Sequence, residues 1–314
     1  MLQDRNRMIN AKTIFVAGLM GLSLMSTSAL AQDASSSSAS TAAPASSAAA
    51  PATSSASATP AVAEGDTVVK QHWSFAGPFG TFDKNQLQRG FQVFKEVCST
   101  CHSAHLLAFR NLSEPGGPEF TEAQVKALAA SYTINDPDAD GGKRPGLPSD
   151  TWPGPDQTPA DLKAAFGIVP PDMSVLAKAR STEDRFPNWI FNYFTTYSEG
   201  GPDYIHALLT GYEDPPADFK LPDGKFYNRI FPAHAIGMPP PLTDGAVQYA
   251  PGPDGSTVPL TVDQYAKDVA AYLMWLSEPH LDQTKSAGFR VMAFLLLFAV
   301  LMWMVKQRLR RKVH

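Results

Sequence analysis

The stretch Gln88-Arg-Gly-Phe-Gln-Val-Phe-Lys-Glu-Val-Cys98-Ser-Thr-Cys101-His102 contains the only two cysteines of the 314-residue chain. Cys-x-x-Cys-His is the pattern at which c-type haem is attached. Two thiols at this spacing can bond to the two vinyl groups on one porphyrin edge, while the adjacent imidazole reaches the iron. We therefore predict that Cys98 and Cys101 form thioethers to a single haem c and that His102 is the proximal iron ligand.

Two other kinds of site also use a Cys-x-x-Cys pair. A thiol-disulfide motif is expected beside a strand-helix unit, and a zinc site needs two more ligands at short spacing. No strand-helix unit is predicted beside Cys98, and both kinds of site stay open as alternatives to haem. A thiol-redox or haem-handling assembly protein stays open as an alternative function, and it predicts a reducible disulfide and no bound haem.

Outward from this motif the pattern predicts a mainly α fold with long proline-rich loops. Asp83 can cap a helix whose apolar residues recur at helical spacing and which ends at Cys98. Thr261 can cap an amphipathic helix near the end of the domain. Further helical patterns cover residues 120–132, 172–180, 183–197 and 203–209, whereas 135–159 is rich in Pro, Gly and Asp and predicts a surface loop. Few segments alternate like strands.

The sixth iron position is predicted from the methionines. A His-ligated haem that transfers electrons commonly takes a thioether there. Of ten methionines, seven lie in the first 31 residues or in the C-terminal apolar stretch, which leaves Met173, Met238 and Met274. The first and last lie in predicted helices, where methionine usually packs in the core. Met238 precedes three prolines that fix an extended backbone, so it is the predicted ligand. His234 is the competing candidate.

The first 64 residues predict export and a flexible connection. Residues 1–31 have a charged start, an apolar run and Ala29-Leu-Ala31, as in a cleaved signal peptide. A retained signal anchor is the alternative. Residues 32–64 are almost entirely Ala, Ser, Thr and Pro, so they lack the large apolar side chains that would stabilise an ordered structure. We predict a disordered tether there.

The C-terminal segment predicts one transmembrane helix at residues 286–306. Its residues 287–305 are apolar except for Arg290, whose side chain lies near one end and can reach the headgroups. A buried soluble helix is the alternative. Residues 307–314 form a basic tail, which the positive-inside rule places in the cytoplasm. The haem domain, residues 65–285, would then lie in the periplasm, anchored in the bacterial inner membrane.

The predicted haem domain is acidic. Residues 65–285 contain 17 Lys and Arg against 27 Asp and Glu, although the whole chain has a net charge of only −4. Such a field repels nucleic acid and attracts a basic protein partner. The same charge could serve only to keep the domain soluble.

Several blocks of the chain resemble the cytochrome c1 family, in the family's order. They are Trp73-Ser-Phe-Ala-Gly-Pro-Phe-Gly-Thr-Phe-Asp83, the stretch from Gln88 to Cys98, Phe109-Arg-Asn-Leu112, Arg144-Pro-Gly146, Pro170-Pro-Asp-Met-Ser174, Leu209-Thr-Gly-Tyr212, Ala235-Ile-Gly-Met238, Ala266-Lys-Asp268 and Trp275-Leu-Ser-Glu-Pro279. A single apolar stretch follows the last block. Two departures are His105, where the family has an acidic or neutral residue, and the lack of cysteines for the extra disulfide of some bacterial members.

The resemblance implies a class I cytochrome c-like haem domain with long loop insertions and one C-terminal transmembrane helix. It implies a quinol:cytochrome c oxidoreductase subunit that works with cytochrome b, takes electrons from a Rieske iron-sulfur protein and passes them to cytochrome c. It also implies the same ligands, Cys98, Cys101, His102 and Met238, and places Arg180 near a haem propionate. The alternative is a membrane-anchored monohaem cytochrome that serves a terminal oxidase or dehydrogenase.

Overall fold

A computed structural model describes residues 68–181, 199–251 and 255–313. Within these ranges the helices are α1 (Lys84–Glu96), α2 (Glu122–Ala130), α3 (Pro159–Phe166), α4 (Leu176–Ala179), α5 (Gly200–Thr210), α6 (Val262–Ser277) and α7 (Leu281–Val313). The antiparallel pairs are β1 (Thr133–Asn135) with β2 (Lys143–Pro145), and β3 (Phe226–Tyr227) with β4 (Ala235–Ile236). The predicted mainly α class is confirmed. The predicted signal peptide, tether and helix at 183–197 lie outside the described residues.

The helices that border the domain begin where their capping residues predict. The Asp83 carboxylate accepts from the Gln86 backbone N–H at 2.8 Å, and the Thr261 hydroxyl accepts from Gln264 N–H at 3.4 Å. Each cap satisfies a backbone donor that the first turn of a helix leaves without a partner. Because α1 ends at Glu96, it delivers the chain directly to Cys98.

Two of the predicted elements were wrong in extent. The helix predicted at 172–180 is only α4, because Asp172 and Ser174 bond to residues 103–106 instead of starting a helix. The last residue of the predicted loop at 135–159 begins α3, which Thr158 caps. The same loop contains β2, where Arg144 pairs with Asp136 and Asp150, each at 2.6 Å.

Helix α6 is the centre of the core. Eleven of its 16 residues are buried, and it packs against α1, α4 and α5. Its closest contact with α1 is at Gly90, where a Cβ atom would lie 2.1 Å from the Asp268 carbonyl oxygen and 2.7 Å from Tyr272 Cβ. Next to this crossing, the Arg89 guanidinium holds the buried Asp268 carboxylate through bonds of 2.9 and 3.0 Å. Helices α1 and α6 therefore set the position of the cysteine motif.

Helix α7 is long and apolar enough to cross a membrane. Its 33 residues span about 50 Å at 1.5 Å per residue. An 18-residue stretch within it has a mean hydropathy of 2.2, and none of that stretch is buried. Near its start the helix joins the domain through the buried Leu281 and through Asp282, which accepts from Phe82 N–H at 3.2 Å. Lys285 Nζ also donates to the carbonyl oxygens of Phe75 and Gly80. The predicted C-terminal apolar helix is confirmed, but α7 extends beyond the predicted 286–306 at both ends, and only three residues separate it from α6.

Candidate haem site

The proximal side of the site is a tight turn at the end of α1. Residues Cys98–Thr100 form a single 3-10 turn, and the backbone N–H groups of Cys101 and His102 donate to the Cys98 carbonyl at 3.2 and 2.9 Å. Both thiols are free and partly exposed. The turn therefore presents two thiols and an imidazole within five consecutive residues.

The His102 ring is held in one orientation. The residue is only 9% exposed, and its Nδ1 atom lies 2.8 Å from the Pro171 carbonyl oxygen. Because a carbonyl only accepts, Nδ1 carries the proton and the lone pair of Nε2 points away from Pro171. Burial also lowers the pKa of His102, which favours the neutral imidazole that a metal requires. Sequence reasoning missed Pro171, although it lies in one of the family-like blocks.

The segment that orients His102 is itself fixed by Asp172. Its carboxylate accepts from the Ser103 hydroxyl at 2.7 Å, from His105 N–H at 2.9 Å and from Ser174 N–H at 2.8 Å. Burial alone would raise the pKa of Asp172, but hydrogen bonds from Ser174, His105 and Ser103 outweigh it, so the pKa is lowered and the group stays charged. The His105 side chain faces solvent.

The thiol of Cys98 is poorly suited to disulfide exchange. The residue is partly exposed but packs against the hydrophobic core, and this burial, together with the neighbouring Cys101, raises the pKa of Cys98 to about 12. Redox-active Cys-x-x-Cys pairs instead have lowered thiol pKa values, because the thiolate is the nucleophile. This environment argues against the thiol-redox alternative.

The Met238 loop is built on a hairpin. Met238 follows β4 by one residue, and its carbonyl accepts from the Tyr212 hydroxyl at 3.1 Å. Burial raises the pKa of Tyr212, so that hydroxyl stays protonated and can donate. The fully buried Asn228, next to β3, donates to the Leu208 carbonyl at 2.8 Å and ties the hairpin to α5. Side-chain hydrogen bonds and prolines thus hold the loop without a disulfide.

The competing ligand candidates have other packing roles. Met173 and Met274 are 7% and 1% exposed and lie in the hydrophobic core. Met173 is also two residues from Pro171, and its backbone N–H donates to the Ser103 carbonyl at 2.8 Å. The His234 ring stacks on Tyr227 at a centroid distance of 5.7 Å. Of the three methionines, only Met238 is partly exposed on a loop.

Residues 166–171 contact both the loop that carries Met238 and the turn that carries His102. At Gly237, a Cβ atom would lie 3.3 Å from the Phe166 carbonyl oxygen and 3.5 Å from Ile168 Cγ2, and Pro171 in the same stretch contacts His102. Between these contacts Ile168 and Val169 are 58% and 41% exposed. A nitrogen donor, a thioether and an open apolar surface together fit a haem whose iron takes His and Met ligands.

Arg180 lies at the C-terminal end of α4 and is exposed. Burial raises the pKa of Tyr204 in α5, and the positive charge of the Arg180 guanidinium partly opposes that rise. Tyr204 in turn interacts with Tyr212, the residue that bonds to the Met238 loop. The contact of Arg180 with a haem propionate stays a prediction.

A mainly helical domain with this cysteine turn, joined to a helix that can cross a membrane, defines a membrane-anchored c-type cytochrome. The family model described as Cytochrome C1 family matches residues 73–313, and the chain belongs to this family. It is therefore an electron-transfer protein with covalently bound haem c.

Relatives with high identity span most of the described chain. "Cytochrome c1" of Blastochloris viridis is 49% identical over 252 residues, covering 77% of this chain and 86% of that protein. "Cytochrome c1" of Cereibacter sphaeroides is 40% identical, covering 79% and 88%. "Cytochrome b/c1" of Bradyrhizobium diazoefficiens is 49% identical and covers 77% of this chain, but the match spans only 35% of that longer protein.

Proposed function

We propose that the chain is the haem subunit of a quinol:cytochrome c oxidoreductase, taking electrons from a Rieske iron-sulfur protein and passing them to a cytochrome c. Membership of the Cytochrome C1 family carries this proposal. The name "Cytochrome b/c1" of the Bradyrhizobium relative pairs a c1-like segment with cytochrome b in one protein, which supports cytochrome b as a direct partner of this chain.

In this proposal each site residue has one task. Cys98 and Cys101 would provide the thioether bonds, His102 and Met238 would be the iron ligands, and Arg180 would pair with a propionate. The bound haem supplies the one-electron Fe(II)/Fe(III) couple. The thioether raises the reduction potential, and the bond from His102 to the Pro171 carbonyl sets the orientation and basicity of the imidazole. The chain makes and breaks no covalent bond of a substrate.

The basic end of the chain supports an orientation. Five cations follow the apolar part of α7, and such residues stay in the cytoplasm: Lys306, Arg308, Arg310, Arg311 and Lys312. The haem domain would then lie in the periplasm of a bacterium, with residues 1–31 removed as a signal peptide and 32–64 as a tether. Lipid is the partner of α7.

The proposed function is tested by the haem types that accompany the chain. The tagged protein, purified from membranes in mild detergent, is expected to give both c-type and b-type bands in a reduced-minus-oxidised spectrum. A c-type band alone would favour a free-standing cytochrome that serves an oxidase or dehydrogenase. No haem after extraction would favour an assembly protein.

The Tyr212 hydroxyl is predicted to keep the Met238 thioether on the iron. Tyr212→Phe removes one hydrogen bond to the loop, worth about 1 kcal/mol, so added imidazole should displace the methionine with roughly fivefold higher affinity. Spectral titration of the ferric protein with imidazole measures this. Tyr227→Phe is the matched control, because that ring stacks on His234 rather than bonding to Met238. Equal imidazole affinity in wild type and Tyr212→Phe would contradict this role.

Electron delivery to cytochrome c is predicted to slow as salt rises, because salt screens the acidic field. The exposed loop after Tyr212 offers a docking surface beside the Met238 loop, with Asp214 and Asp218 as its candidates. Changing both to Asn should reduce the electron-transfer rate at low salt and flatten its salt dependence. The control changes Asp138 and Asp140, which are exposed beyond β1. Rates independent of salt in the wild type would exclude steering.

A further inference from the structure

The loop between Phe75 and Phe82 presents one aromatic ring to the outside. Phe75 is fully buried, and Gly77 turns the chain with a φ of +71°, a conformation that favours glycine. Phe79 follows at the tip, 78% exposed, more than any other large apolar side chain in the part of the chain that the structure describes. Core packing gives no reason for this residue to be aromatic.

The Phe79 ring lies against the start of the apolar part of α7. It meets the Phe289 ring edge-on, with a centroid distance of 5.9 Å and an interplanar angle of 65°. Phe289 is the third residue of the apolar run at 287–305 and is itself 63% exposed. If α7 crosses a bilayer, a side chain that touches Phe289 lies at the level where the hydrocarbon begins.

The loop is tied to α7 on the water side of that contact. Lys285 Nζ donates to the carbonyl oxygens of Phe75 and Gly80, and Asp282 accepts from Phe82 N–H at 3.2 Å. Lys285 precedes Phe289 by four residues, about 6 Å along the helix. The tip of the loop therefore cannot withdraw from α7 without breaking these bonds.

We propose that Phe79 is a second membrane contact, inserted into the lipid between headgroups and acyl chains beside α7. Lipid is the occupant because the ring is continuous with the lipid-facing surface of α7 and an exposed aromatic ring gains by leaving water. Arg290, whose guanidinium bonds back to the Ser286 carbonyl at 3.2 Å, places a cation at the same depth for headgroup phosphates. Two attachment points fix the tilt of the haem domain, which a single helix would leave free.

The test uses a thiol at position 79. Both natural cysteines are consumed by haem, so Phe79→Cys adds the chain's only free thiol, to which a nitroxide is attached. The complex, purified through a tag on this chain, is reconstituted in phosphatidylcholine–phosphatidylglycerol vesicles. Wild type taken through the same labelling gives the background from other subunits. Power saturation then compares collisions with lipid-soluble oxygen and a water-soluble nickel chelate. Leu296→Cys on α7 and Leu147→Cys after β2, 69% and 49% exposed, are the lipid and water references.

We expect the oxygen-to-nickel ratio at position 79 to be several-fold above that at 147 and to approach that at 296. A ratio equal to that at 147 would place Phe79 in water and overturn the proposal. Low collision rates with both reagents would mean that another subunit covers the ring, which also overturns it. The proposal goes beyond the proposed electron-transfer role, and the haem bands of the same samples report on that role separately.

Discussion

Replacing Met238 with leucine will leave haem covalently attached while lowering its reduction potential, on the order of a hundred millivolts within the roughly 0.8 V range that axial ligands cover. Leucine has nearly the same volume as methionine but no sulfur, so the loop keeps its packing and the iron loses its thioether. Attachment survives because it depends on Cys98, Cys101 and His102 at the end of α1. Electron delivery to an acceptor of higher potential should stall.

Redox titration of the c-type band in membranes measures this change. Met274→Leu is the matched control, since Met274 is 1% exposed in the core of α6 and should leave the potential unchanged. His234→Leu tests the competing ligand and is also expected to leave it unchanged. An unchanged potential in Met238→Leu, or a large fall in His234→Leu, would refute the assignment of Met238.

The parts of the site that the sequence predicts are those encoded locally. The Cys98 to His102 motif is contiguous in the sequence. Helices α1 and α6 are each predicted by a capping residue followed by apolar residues at helical spacing. The long apolar run of α7 is equally local. Met238 was predicted from the three prolines that follow it and by eliminating the other methionines. Both arguments use only the amino-acid sequence.

What the sequence did not predict depends on contacts between distant segments. The Pro171 carbonyl lies 69 residues from His102, and Tyr212 lies 26 residues from Met238, so no spacing rule connects them. The same cause explains the helix predicted too long at 172–180: the Asp172 side chain bonds to Ser103, and a tertiary hydrogen bond replaces the expected first turn. The helix α3 was missed for a different reason, because its Thr-Pro start follows a stretch dominated by loop residues.

Gly90→Ala should destabilise the haem domain more than any exposed substitution, because α1 crosses α6 at this residue. The new Cβ would lie 2.1 Å from the Asp268 carbonyl oxygen, a backbone atom inside α6 that cannot rotate away. Overpacking of this kind costs about 3 kcal/mol, whereas alanine returns about 1 kcal/mol of helix propensity. The net loss of about 2 kcal/mol lowers Tm by roughly 4–8 °C for a domain of this size.

The same substitution should also reduce haem attachment. Moving α1 away from α6 strains the bond between Arg89 and the buried Asp268. It also shifts Cys98, which follows Gly90 by eight residues, just beyond the end of α1. Thermal unfolding of the reduced protein and the ratio of haem to polypeptide measure the two effects. Gly288→Ala is the control, since a Cβ there meets nothing within 4 Å. If Gly90→Ala unfolds at the wild-type temperature with full haem content, the close crossing of α1 and α6 does not position the cysteine motif.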